Sequence, residues 1–349
     1  MMMAECKVVF DRNMTNIVKG VGMLLMFCLH GYNQDYYDAP QPSWDYSFSN
    51  LGLGFQLCVG TFAFMIGYGY NFAKNKDLRY ALSHITRLFI PYWVILFLLT
   101  VPFCLGEIRS DGIGRFLLNV IALDAHYNYF NWFIYLYAFC MATLPFVARL
   151  MKHRSVLVAL AVCAVSYGLE VFLRIYLFDH IGEDAATICY NCLRYFPVIV
   201  LGLLFAHEGY FERINLKPLP SWLMAILAVV TLIVVLLLAG KMSLVKGFQL
   251  DFFYMPLEIG AIAVLFSLYR NNVVRRALVW VGQLSVYMWF FHALFYTEAT
   301  RWFYQPVIRI FDNINLVVLC MIAVTFVASW LLKTVVDRLT LLLTKSHGG

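Results

Sequence analysis

The sequence predicts an all-α, polytopic integral membrane protein of about ten transmembrane helices, with both termini cytoplasmic. Three observations carry that expectation. Of the 349 residues, 62% are hydrophobic and only 13% charged, about half the roughly 25% charge of a soluble domain. Apolar stretches close to the ~20 residues needed to cross a bilayer core recur from end to end. Lys and Arg gather on every second loop, the positive-inside pattern.

Taken in order, the expected spans are 14–31, 51–73, 88–105, 131–148, 155–178, 193–207, 221–240, 252–269, 277–297 and 314–335. The sixth is short, and 113–130 is apolar enough for a re-entrant or interfacial segment. With the N-terminus inside, 17 Lys and Arg fall on inner segments and 6 on outer loops; Lys19, Arg174 and Arg194 lie in or beside spans. A miscounted span would reverse that asymmetry downstream, and no reversal occurs. No linker or low-complexity tract interrupts residues 1–349, so the chain reads as a single transmembrane domain. The stretch after Arg12 lacks an A-x-A-like cleavage site, which argues against a removed signal peptide.

The net charge of +6 is modest and scattered, so no nucleic-acid partner is expected; the bilayer is the expected surrounding. Seven of the nine cysteines stand alone, most of them in apolar segments, where a thiol packs as a small hydrophobe. Cys189 and Cys192 have CxxC spacing without a second pair, so no metal is expected, and a disulfide between them stays open. The loop 31–50 combines Asp35, Asp38 and Asp45 with aromatics and no Lys or Arg. That composition suits a sugar-binding surface or an interfacial aromatic belt.

The first span holds two ionisable residues, Lys19 and His30. Such groups within a membrane are costly and usually face a cavity, a partner or a pathway. Eleven residues bring them back to nearly one helix face, about 16 Å apart along the axis, with Met23 and Met26 between. An ammonium near the inner surface can hold phosphate, and a neutral imidazole can take a proton from an alcohol attacking a thioester. The alternative is structural: Lys19 snorkels to inner headgroups and His30 sits at the outer interface. Glu258, inside the eighth span, needs a partner or a proton. It suits either a dyad with His30 or an ion pair with Arg174 or Arg194, and Glu170 with Arg174 has the i,i+4 spacing of an intrahelical pair. His292 and Ser285, seven apart on one face, either line a cavity or glue helices together. Asp124 and His126 are placed on the outer side. Gly20, Gly22, Gly52 and Gly54 read as small residues at helix interfaces.

These residues carry a family resemblance. Lys19 to His30 (KGVGMLLMFCLH) resembles the first-helix signature of the acyltransferase-3 family of membrane O-acyltransferases, a basic residue followed by ten others and then His. Phe62 to Tyr70 (FAFMIGYGY) is similar to its aromatic second helix. Arg87-Leu88-Phe89-Ile90-Pro91-Tyr92 resembles its R-L-x-x-P-Y segment, and Trp132-Phe133 with Leu136 its W-F-L segment. Val281 to Tyr287 with His292 resembles its late G-x-x-S-x-x-Y…H helix. Two positions depart: Ile66 stands where Ser often precedes the glycine, and position 19 is Lys rather than the commoner Arg, which removes bidentate phosphate binding.

The resemblance implies an acyltransferase of the cell membrane, the inner membrane of a bacterium, that takes an acyl group, commonly acetyl, from cytosolic acyl-CoA. The implied acceptor is a hydroxyl of a cell-surface or lipid-linked saccharide. It implies His30 as the catalytic residue and places Lys19 and Arg87 on the donor side, with Arg12 and Arg79 as weaker candidates. Glu258, His292, Ser285 and Trp132 are then candidate lining residues. The sequence leaves a homo-oligomer open, and a transporter of a sugar or small anion is the rival reading, although no repeat between halves supports it.

Overall fold

The computed structural model describes residues 7–32, 53–74, 76–177, 183–216, 219–244, 251–269, 272–311 and 313–346. Most of the aromatic and acidic 31–50 loop, and Gly52, lie outside them. Among the described residues the regular structure is helical, apart from one isolated antiparallel bridge between Lys7 and Asn215.

The helices are α1 Arg12–Tyr32, α2 Leu57–Asn71, α3 Leu78–Ile95, α4 Val101–Asp111, α5 Ile113–Val120, α6 Trp132–Phe172, α7 Glu183–Glu208, α8 Ser221–Leu244, α9 Asp251–Leu268, α10 Val273–His292, α11 Glu298–Ile308 and α12 Ile314–Ser346. A π-helical turn, Leu96–Thr100, joins α3 to α4. It lies between Pro91 and Pro102, each of which removes a backbone donor from the helix ladder.

Among the described residues, seven helical stretches are long and apolar enough to cross a membrane. The difference from ten has identifiable sources. The expected spans 51–73 and 252–269 are represented by α2, of 15 described residues, and by the shorter apolar helix Tyr254–Leu268. Spans 131–148 and 155–178 run together in α6, whose backbone leaves helical geometry at Arg154 (φ −148°, ψ 62°). The expected 88–105 span begins ten residues earlier, because Leu78–Arg87 is an amphipathic lead-in that hydropathy passes over. The apolar 113–130 region holds the short helix α5.

The chain divides into two compact units: Met1–His30, Asp45–Ala81 and Leu136–Gly282 in the first, and Gly31–Trp44, Leu82–Tyr135 and Gln283–Gly349 in the second.

In the first unit, helices approach backbone to backbone at two reciprocal glycine crossings. A Cβ on Gly67 of α2 would stand 1.7 Å from the Ile199 carbonyl oxygen of α7, and one on Gly202 of α7 would stand 2.0 Å from that of Phe64. The second crossing pairs Gly20 of α1 with Leu278 of α10 (2.3 Å) and Gly282 with Asn16 (1.9 Å). Lipid offers no hydrophobic drive between helices, so close approach through small residues is what joins them. The expectation that Gly20, Gly22 and Gly54 serve helix packing agrees with this geometry, since each meets a neighbouring helix within 3.4 Å. Asp11 starts α1 by accepting a hydrogen bond from the Met14 N–H at 2.8 Å, the side-chain cap that the free first-turn donors require. Just before it, Phe10 packs against Tyr68 and Phe211 with centroids 4.5 and 4.9 Å away.

The second unit is held differently. The buried Tyr92 hydroxyl donates to Asn119 Oδ1 at 2.7 Å. Asn119 and Asn131 both donate through Nδ2 to the Asp124 carbonyl, at 2.8 and 2.6 Å. Trp93 Nε1 donates to the Val120 carbonyl at 2.9 Å, so α5 is tied back to α3. Helix α5 ends in a Schellman closure: Leu123 N–H reaches Leu118 O and Ala122 N–H reaches Asn119 O. Ala122 sits there at φ 61°, a conformation that suits glycine better.

Candidate active site

Helix α1 is unbroken from Arg12 to Tyr32, so Lys19 and His30 do share a face, about 16 Å apart along the axis. Met23 and Met26, on that face, are buried, as is His30 at 5% exposure. Lys19 is half-buried, and Arg12, at the first residue of the helix, is exposed. Seven residues separate these two cations, which places them on one side of α1, where their like charges act on each other.

Glu258 of α9 belongs to the same unit and is 1% exposed. Its carboxyl group lies 3.1 and 3.3 Å from the hydroxyl of Thr61 on α2. Thr61 also contacts α1: its Cγ2 would be 3.2 Å from a Cβ on Gly22. Thus Glu258 is bonded to a residue that packs on the helix bearing Lys19 and His30. Sequence reading missed Thr61; the available signal was a hydroxyl in the middle of an apolar helix, where it commonly bonds the carbonyl four residues back, as Thr61 does to Leu57 at 3.0 Å. Glu170 is buried, while the Arg174 side chain, its expected partner, lies outside the described residues.

The other candidates fall in the second unit. Arg87 of α3 is exposed. Ser285 and His292 of α10 are both buried. The His292 ring stacks on Phe130 at 4.5 Å and stands edge-on to Trp289 and Tyr296 at 6.0 and 6.2 Å. Its Nδ1 is in hydrogen-bond contact with the Trp289 carbonyl, an i−3 bond that fixes the ring at the helix end. Trp132, half-buried, faces Trp289 edge-on at 6.2 Å. Trp289 Nε1 in turn donates to the Phe130 carbonyl at 3.0 Å. Trp132 and His292 are therefore brought to one aromatic cluster, whose other members, Phe130 and Trp289, were not anticipated.

Asp124 and His126 are engaged within this unit. Asp124 accepts from Arg115 Nε at 3.1 Å and from the His126 N–H at 2.7 Å. His126 Nε2 lies 3.1 Å from Asp111 Oδ2, which also accepts from the Tyr127 hydroxyl at 2.9 Å. Partial desolvation opposes the charge on Arg115, but Asp124 and Asp111 hold its pKa above the ordinary value. Cys189 and Cys192 lie in α7 as free thiols, one exposed and one buried. Among the described residues no group of three or more His, Cys, Asp or Glu is placed to hold a metal ion.

The apolar helices of the described residues define a multi-pass integral membrane protein, with a buried histidine and a lysine along one face of α1. A family model described as an acyltransferase domain, Acyl_transf_3, matches residues 15–334. The chain belongs to the acyltransferase-3 family and is an acyltransferase. No curated protein and no solved structure matches the chain.

Proposed function

We propose that the protein is a membrane O-acyltransferase that moves an acyl group, acetyl in the first instance, from cytosolic acyl-CoA to a hydroxyl of a cell-surface or lipid-linked saccharide. The observation that carries this reading is the continuous α1, which sets Lys19 and His30 on one face. Lys19, with Arg12 on the same side, supplies positive charge for donor phosphates; Arg87 of the second unit is proposed as a further donor-binding cation. His30 acts as general base: it takes the proton of the acceptor hydroxyl as that oxygen attacks the thioester carbonyl, and the thiolate of CoA leaves. Glu258, bonded through Thr61, is proposed as a positioning residue for this face of α1.

The proposed topology has ten spans with both termini in the cytoplasm of a bacterial inner membrane. Helix α6, with 41 residues, is about 60 Å long, twice the ~30 Å hydrocarbon core. Its break at Arg154 supports two passages there, and α2 and α9 are proposed as two more beyond the long helices. Reporter fusions at each end test this arrangement, and an external C-terminus would overturn it.

For the chemistry, transfer of labelled acetyl by His30→Ala in membranes should fall by about 10²–10⁴-fold with the amount of folded protein unchanged. Near-normal turnover removes His30 from its role. Lys19→Gln should raise KM for acyl-CoA more than it lowers kcat. Acyl-CoA-independent saccharide flux in proteoliposomes would favour the transporter reading instead.

A further inference from the structure

The end of α2 carries a feature that the acyl-transfer reading does not use. Tyr70 closes the aromatic second-helix segment and is 2% exposed, yet its hydroxyl has no hydrogen-bond partner among the described residues. A phenol both donates and accepts, and burying it with neither bond made is unfavourable. Around it stand cations from one helix and a turn. Lys76 Nζ lies 5.1 Å from the centroid of the Tyr70 ring and donates to the Asn71 carbonyl at 3.2 Å. Arg149 of α6 acts electrostatically on the Tyr70 hydroxyl, and Lys152, one turn further along α6, acts on Lys76. Tyr80, edge-on to Tyr70 at 6.1 Å, closes another side.

Asp77, the neighbouring acid, is occupied in starting α3: its Oδ1 accepts from the Tyr80 N–H at 2.8 Å. Desolvation and then the like charge of Lys152 lower the pKa of Lys76, so the cations repel one another as they stand. The positive-inside rule accounts for Lys and Arg at an inner membrane face. It does not account for a buried hydroxyl turned among them without a partner. An anion with several acceptor oxygens would satisfy both, taking the Tyr70 O–H as one donor and neutralising the ammonium and guanidinium groups.

We propose that Tyr70, Lys76, Arg149 and Lys152 form a phosphate-binding site on the first unit. Its ligand is a phosphate ester, carried either by an anionic phospholipid headgroup or by a dissolved nucleotide such as CoA. The site does not depend on the role assigned to His30.

The test uses the full chain in nanodiscs with two probes, measured by thermal shift and titration. One arm adds CoA to discs of phosphatidylcholine; the other replaces part of that lipid with phosphatidylglycerol. At least one probe should stabilise the protein, and Lys76→Gln and Lys152→Gln should each weaken its apparent affinity about tenfold, the scale of one charge-assisted hydrogen bond. Arg149→Gln should do the same, Tyr70→Phe should cost several-fold, and added salt should weaken binding throughout. A response confined to CoA assigns the site to a dissolved phosphate, and one confined to phosphatidylglycerol assigns it to lipid. Because the three cations are exposed, their variants should fold, and His30→Ala should retain the binding. Unchanged affinity for both probes in all four variants overturns the proposal.

Discussion

The two units differ in the contacts that dominate between their helices. The first brings backbones into contact at Gly67–Gly202 and Gly20–Gly282, where there is no room for a single additional carbon. The second leaves its α4 and α5 glycines in open space, with nothing within 4 Å of a Cβ at Gly106, Gly112 or Gly114. It relies instead on buried amides and hydroxyls, Tyr92, Asn119 and Asn131 among them, bonded across helix ends. The lesson is that one chain in one solvent can meet the same need twice. Where lipid supplies no drive to associate, one set of helices is limited by shape and the other by the count of donors and acceptors.

That contrast can be broken by exchange. The largest effect is expected at Gly67→Ala, where the obstructing atom is a backbone oxygen that cannot rotate away. Destabilisation of about 3 kcal/mol, the upper part of the overpacking range, should appear in thermal unfolding, whereas Gly106→Ala should be neutral or gain up to about 1 kcal/mol from helix propensity. Equal losses at both positions would dissolve the distinction between the units. Next in size, Asn119→Ala removes two buried hydrogen bonds, from the Tyr92 hydroxyl and to the Asp124 carbonyl, and should cost about 2 kcal/mol at roughly 1 kcal/mol each. A variant as stable as the parent would show that the second unit does not rest on this network.

Ala122→Gly should work in the other direction, gaining about 1 kcal/mol, because glycine adopts the left-handed geometry without the Cβ penalty. The smallest effect concerns pH. Burial, and then the hydrogen bond to Asp111, raise the pKa of Tyr127. Its contribution to stability is thus complete below the unfolded tyrosine value near 10. It is lost as pH climbs beyond that value, since the unfolded chain ionises first. Melting temperatures measured from neutral to strongly alkaline pH should fall less steeply for Tyr127→Phe than for the parent, and identical slopes would deny Asp111–Tyr127 a part in the fold.

Much of the helical framework was legible because the bilayer imposes one rule, long apolar runs, that composition alone reveals. What hydropathy passed over were polar helical stretches: the lead-in Leu78–Arg87, the first turns of α7 from Glu183, and all of α11. The Lys19–His30 face was also readable, since a helix of known pitch fixes which residues align. Partners were not. The bond from Thr61 to Glu258 joins positions separated by 197 residues, and that from Asn128 to the Phe290 carbonyl by 162. No local pattern in either segment names the other. The glycines were recognisable as interface residues, but their reciprocal pairing is a property of two helices at once.

That reciprocity constrains how the sequence can drift. At the α2–α7 crossing each glycine faces the carbonyl of the other helix, so enlarging either residue alone meets fixed backbone, and enlarging both doubles the obstruction. No compensating change across the interface can rescue the first, because the clash is with atoms that every amino acid carries. Substitution at position 67 or 202, alone or as a pair, is therefore expected to be resisted by the backbone of the facing helix.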